Sequence, residues 1–312
     1  MPRPGPAPTG GPAPSGAPAV TRASAVTRLP APAIFVASGL TQYLGAAVAI
    51  GLFSAIPAVG VAWLRVAAAA VVLLVWRRPW RAGLTRQALG AAVLFGAALA
   101  AMNVTFYIAI DHLPLGTAVA IEFIGPVAVA ALTGSGWRER VGIALAACGV
   151  VLLAGVTLEL RPADARIGLL AIGAAAVCWA AYILLGRRVA VGGDGVTSLS
   201  VAMAAGAVVF APLLARSAAP VLGSWRLAVA VAGVAVLSSV IPYALEQVVL
   251  RRVGTARFAV LLALLPATAT AVGAVALRQW PHALDVVGLL LVSAAIVLTS
   301  VRRRAPAPEP VS

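Results

Sequence analysis

Charge is what this sequence has least of. Charged residues make up 10% of its 312 positions, against about 25% in an ordinary soluble domain. Hydrophobic residues reach 62%, and the mean hydropathy is +1.03. A soluble globule of this length cannot hide that much apolar surface, which excludes a soluble enzyme. Lysine is absent, and all 23 basic residues are arginine. Cysteine and histidine are scarce. Cys148 and Cys178 lie inside apolar stretches without CxxC spacing, and His112 and His282 fall at segment junctions, so no metal centre is expected. P-loop, HExxH and nucleophile-elbow patterns are missing, which leaves no catalytic residue and no cofactor to assign. The apolar runs do not alternate with polar residues, which excludes a membrane β-barrel.

What is present is a series of apolar stretches of about 20 residues, the length that crosses a bilayer core as an α-helix. Ten are expected: 32–53, 58–76, 88–110, 114–134, 138–157, 167–187, 197–215, 225–247, 254–277 and 282–301. The chain thus reads as an all-α membrane protein. Asp111-His112-Leu113 leaves room only for a tight hairpin between the third and fourth spans. Residues 1–30 hold eight prolines and read as a disordered tail, and 302–312 form a second loose tail. Sorting arginines by connection puts 17 on the side of both termini, five on the other side and Arg65 inside the second span. That bias orients both termini to the cytoplasm in a multi-pass protein of the cell membrane. The net charge of +14 is therefore a topology signal, and no nucleic-acid partner is expected.

A repeat is visible between 31–157 and 166–301. Pro126 and Pro266 stand 140 residues apart in the fourth and ninth spans, Trp137-Arg138 corresponds to Arg278-Gln279-Trp280, and Val141-Gly142 to Val287-Gly288. Five is an odd number of crossings, so two such halves lie inverted in the membrane, an arrangement that points to a transporter.

The residues that carry chemistry are the polar ones inside spans, because a charge at the bilayer centre costs about 2.5–3.5 kcal/mol and needs a partner or a wet cavity. Glu122 lies in the apolar string Ala-Ile-Glu-Phe-Ile-Gly-Pro. Pro126 has no N–H for the Glu122 carbonyl, so the helix opens where the carboxylate sits. An ammonium group or a proton suits that place; so does a structural partnership with an arginine. Arg65 is either that counter-ion or a fork for a substrate carboxylate. Glu246 follows Pro242 by four residues and precedes Arg251 and Arg252, which leaves open a site role or an ion pair near a helix end. Asn103 and Tyr107 share a face of the third span, and Trp179 and Tyr182 lie three apart in the sixth. Gln42 and Tyr43 lie within the first. Each of these either completes a pocket or holds helices together. Ala92, Gly96 and Ala100 form a small-residue face suited to close helix approach.

Several strings together resemble EamA-type members of the drug/metabolite transporter superfamily, specifically the threonine/homoserine exporters. They are Trp63-Leu-Arg65 leading to Arg77-Arg78-Pro79-Trp80-Arg81, Met102-Asn103 with Phe106-Tyr107, Leu113-Pro114 through Glu122 to Gly125-Pro126, Cys178-Trp179 through Tyr182, and Ile241-Pro242-Tyr243 to Glu246. The resemblance covers roughly residues 36–301. It implies a ten-helix inverted-repeat carrier that exports small neutral amino acids in exchange for protons. Glu122, Asn103, Arg65, Tyr107, Trp179, Tyr182 and Glu246 are the candidate substrate-binding residues. Export of another small metabolite or of a cationic amphipathic drug is the alternative, and a non-transporting scaffold a third. The long Pro-rich N-terminal tail departs from the compact family pattern.

Overall fold

A bilayer core offers the backbone no hydrogen-bond partners, so a spanning chain must satisfy its own N–H and C=O groups. The α-helix does so within one segment. The computed structural model describes residues 29–81, 86–133, 136–160, 162–189 and 195–300. Among them no strand occurs. The elements are α1 (Ala31–Leu52), α2 (Ala58–Arg77), α3 (Arg86–His112), α4 (Leu115–Glu122), α5 (Ile124–Thr133), α6 (Trp137–Leu160), α7 (Pro162–Val189), α8 (Gly195–Leu214), α9 (Trp225–Ala235), α10 (Ile241–Leu261), α11 (Leu264–Leu277) and α12 (Ala283–Ser300). A π-helical turn, Val236–Val240, joins α9 to α10, and a 3-10 segment, Ala215–Gly223, follows α8. The expected tails, 1–30 up to residue 28 and all of 302–312, lie outside the described residues.

Seven helical runs among the described residues are long and apolar enough to cross a membrane, which makes this a multi-pass membrane protein. Two of the ten expected spans are interrupted. The expected span 114–134 is two helices, α4 and α5, parted at Phe123. The expected break near Arg251-Arg252 does not occur. Helix α10 runs through both arginines to Leu261, the chain turns at Leu262–Ala263, and α11 follows. Arginine is a good helix former, so a pair of them does not end a helix. Proline does: Pro126 and Pro266 lack the N–H that would meet the carbonyls of Glu122 and Leu262, and each break begins there. The tight turn expected at residues 111–113 is present, with α3 ending at His112 and α4 starting at Leu115.

Small residues set the closest helix approaches. Helix α3 packs on α7 and α8, and α6 packs along α12. A Cβ added at Gly96 would strike the Ala202 carbonyl, and one added at Gly206 would strike the Gly96 carbonyl. Gly149 and Gly288 oppose each other in the same way across α6 and α12, at 2.8 and 2.9 Å from the facing carbonyls. Without hydrophobic drive inside lipid, such close packing is what joins spans. Helix α1 packs against α10 and α11, while α7 packs against α3, α4 and α5. Exposed tryptophans mark the two ends of the bundle: Trp76, Trp80 and Trp137 at one, Trp225 and Trp280 at the other, the placement of interfacial aromatic belts.

Candidate functional site

The break at Phe123 leaves Glu122 as the last residue of α4, with its side chain buried. Its carboxylate accepts no hydrogen bond among the described residues. The nearest compensating charge is Arg65, from the middle of α2, which interacts electrostatically with Glu122 without closing a direct ion pair. Arg65 donates from an Nη to the Tyr107 hydroxyl at 3.2 Å, and its guanidinium carbon lies 5.3 Å from the Tyr107 ring centroid. Its Nε is buried with no partner. A buried N–H without an acceptor is a costly feature for a structural counter-ion and a useful one for a group awaiting a ligand oxygen.

Glu246 sits inside α10, five residues after its start, not at a helix end. The Ser38 hydroxyl of α1 lies 3.3 Å from its Oε1 and 3.4 Å from the Pro242 carbonyl, able to donate to either. Tyr43 is buried and lies within electrostatic reach of both Glu122 and Glu246. Tyr182 and Tyr243 lie within reach of Glu246, and Arg65 within reach of Tyr243. The hydroxyls of Ser238 and Ser239, in the π-helical turn, are buried without partners. Ser238 lies over Gly45 of α1, where a Cβ would collide with its hydroxyl. Wide π turns free backbone and side-chain groups from the regular ladder and occur often at functional places.

Of the residues singled out from sequence, Arg65, Tyr107 and Glu122 form one connected group. Trp179 packs edge-on against Phe123, with ring centroids 4.7 Å apart, and so walls the helix break. Tyr182 stacks on Phe95 at 4.5 Å while keeping its reach to Glu246. Asn103 is buried, but its Nδ2 donates to Leu99 of its own helix at 2.8 Å. Tyr243 and Ser38 were not foreseen as site residues. Tyr243 stands three residues before Glu246 and directly after Pro242, a spacing that places both on one helical face; Ser38 carries no such signal. The Glu122 carboxylate also lies within electrostatic reach of Cys178. No cluster of three or more potential metal ligands occurs among the described residues.

A cavity of about 470 Å³ lies apart from this group, at the bundle end where α1, α3 and α11 finish and α4 and α12 begin. Asp111, Thr117, Arg278, Gln279, His282 and Asp285 line it, among others.

Comparison with known proteins places these features in a family. The model of the EamA-like transporter family matches residues 166–301. The threonine/homoserine exporter RhtA of Salmonella typhimurium (strain LT2) is 33% identical over 279 residues, covering 89% of this chain and 94% of the relative. The threonine/homoserine exporter RhtA of Escherichia coli (strain K12) is 34% identical over 251 residues, covering 80% and 84%. A solved crystal structure of a protein superposes with a TM-score of 0.55 at 19% identity, over 86% of this chain and 95% of its own, which speaks to the fold alone. With this identity along most of its length, the chain belongs to the EamA-like transporter family, and is a membrane transporter and not an enzyme.

Proposed function

We propose that the protein exports small neutral amino acids of the threonine/homoserine kind across the cytoplasmic membrane by exchange with protons. The observation that carries this reading is a charge imbalance: within the described intramembrane group, the buried carboxylate of Glu122 and the half-buried carboxylate of Glu246 stand against one guanidinium, Arg65. Burying an unmatched charge is expensive, so the group holds one further positive charge. A proton or a substrate ammonium supplies it equally well, and the two exchange. The unpartnered Arg65 Nε–H suits the substrate carboxylate, and the helix break at Glu122 admits its ammonium. Asn103, Trp179, Tyr182 and the tyrosines around Glu246 close the group. The cargo is favoured by the names of the relatives.

The energetics are sufficient. A neutral zwitterion leaving against an entering proton moves one charge down the membrane potential, worth about 2.3 kcal/mol per 100 mV. Alternating access follows from an architecture of ten spans in two inverted five-helix halves, 31–157 and 166–301, with both termini cytoplasmic. Three features support that architecture. The helix breaks at Phe123 and Ala263 are spaced by the same 140 residues as Pro126 and Pro266. Helices α1 and α7 pack reciprocally on the interrupted segments of the other half. The family match falls on 166–301.

The deciding experiment is Glu122→Gln in proteoliposomes loaded with a panel of amino acids and cationic drugs, with exchange and proton flux read together. The variant is expected to fold and to lose coupled exchange. Retained threonine exchange with retained proton flux refutes the role of Glu122, and exchange of drugs but no amino acid in the wild type refutes the cargo.

A further inference from the structure

The cavity at the α3–α4 and α11–α12 turns is not the intramembrane group, yet its lining is specific. Asp285 accepts from the His282 backbone N–H at 2.9 Å, and its Oδ2 lies 3.4 Å from the His282 Nδ1. Both residues are thus engaged at the start of α12. Gln279 is engaged as well, its Oε1 accepting from the Leu115 N–H at 2.9 Å. Three of the remaining lining side chains offer complementary chemistry. Among the described residues, the Asp111 carboxylate, the Arg278 guanidinium and the Thr117 hydroxyl make no hydrogen bond or ion pair. Asp111 and Arg278 carry opposite charges on one cavity without closing on each other. One anion, one cation and one hydroxyl match, group for group, the ammonium, carboxylate and hydroxyl of a hydroxylated amino acid. The volume of about 470 Å³ falls in the range of small-molecule sites, about 300–1,000 Å³. Thr117 precedes Glu122 by five residues on α4, a rise of about 7.5 Å, so the cavity ends about one and a half helical turns from Glu122.

We infer that this cavity is a second, shallow binding site for a zwitterionic hydroxy amino acid: Arg278 takes its carboxylate, Asp111 its ammonium and Thr117 its hydroxyl. The inference rests on the cargo proposed above. In the orientation set by the arginines, the site opens to the outside, where exported substrate leaves. Arg278 and Asp111 are solvent-exposed, so the site binds weakly and releases readily.

The test uses the full chain in intact cells, with Thr270→Cys on the cavity wall in a Cys148→Ser/Cys178→Ser background. The rate of labelling by a membrane-impermeant maleimide is the readout. Thr270 donates its hydroxyl to Pro266 of its own helix, so its loss removes no proposed ligand contact. Threonine is expected to slow labelling at least threefold. Threoninol, which lacks the carboxylate, and N-acetylthreonine, which lacks the ammonium, are expected to leave it unchanged. Arg278→Gln and Asp111→Asn should each abolish protection, and Glu122→Gln should preserve it. No protection by threonine overturns the inference, as does protection that survives Arg278→Gln and Asp111→Asn, or protection lost in Glu122→Gln. Leu277→Cys, on the same wall, serves as a second reporter if Thr270→Cys does not accumulate. Protection with the expected pattern, together with undiminished exchange in Glu122→Gln, leaves this site standing and refutes the carrier role of Glu122.

Discussion

Replacing Arg65 with Gln tests whether the intramembrane charges form one unit. The substitution removes the 3.2 Å hydrogen bond to Tyr107, worth about 1 kcal/mol. It also removes the guanidinium–ring contact at 5.3 Å, worth about 0.5–1 kcal/mol. A further loss is electrostatic. Glu122 is left buried without its cation, and breaking a buried charge pair costs about 3–5 kcal/mol. Because Arg65 and Glu122 interact without direct contact, the lower end applies, about 3 kcal/mol for the whole substitution. Adding Glu122→Gln removes the stranded charge, so the double variant should recover to a loss of about 1–2 kcal/mol, the value of the Tyr107 contacts alone. With Glu122→Gln alone expected to be close to neutral, the coupling energy in this cycle is about 1–2 kcal/mol, well above the additivity error of about 0.5 kcal/mol. Tyr107→Phe should lose about 1 kcal/mol and show little coupling to Glu122→Gln. Reversible SDS denaturation in mixed micelles, followed by tryptophan fluorescence, measures the stability of the wild type and of each variant. Additive losses for Arg65→Gln and Glu122→Gln would show that the two charges do not depend on each other, and the charge-imbalance reading would fall.

Pro126→Ala restores the N–H that the Glu122 carbonyl lacks and allows α4 and α5 to join; exchange turnover should fall about tenfold, equivalent to about 1.4 kcal/mol of barrier, while unfolding resistance stays the same or rises. Equal turnover in transport assays would show that the break is incidental. Gly96→Ala places a Cβ against the Ala202 carbonyl and should destabilise the α3–α8 contact by about 1–3 kcal/mol, read in the same SDS titration. Gly155→Ala, where nothing lies within 4 Å of the added Cβ, is the matched control and should be neutral or slightly stabilising.

Much of this protein was legible in one dimension because lipid imposes a one-dimensional rule. Each span must be apolar for about 20 residues, so the membrane class and most of the helices follow from counting. The helix opening at Glu122 was legible too, since Pro126 acts on the residue four positions back whatever the packing. The break expected at Arg251-Arg252 failed for a local reason. Charge suggested a loop, but arginine tolerates helix well, and the nearest true breaker was Pro266.

The site divides along the same line. Arg65, Glu122 and Glu246 stand out in sequence because a charge within an apolar span is costly wherever its neighbours lie. Their partners do not stand out. Ser38 reaches Glu246 across 208 positions, and Tyr107 meets Arg65 across 42; only the packing of α1 on α10 and the approach of α2 and α3 decide those pairs. The bond from the Asn103 amide to Leu99 of its own helix is likewise a matter of rotamer and packing that its place on a helical face does not reveal. The cavity between the α3–α4 and α11–α12 turns had no sequence signal, because its walls come chiefly from two distant segments, 110–117 and 270–289. Sequence determined which charges this membrane protein must neutralise, since burial in lipid is a property of each span. Tertiary structure alone decided which groups do so and which are left free, since hydrogen bonds are made by distance in space and not along the chain.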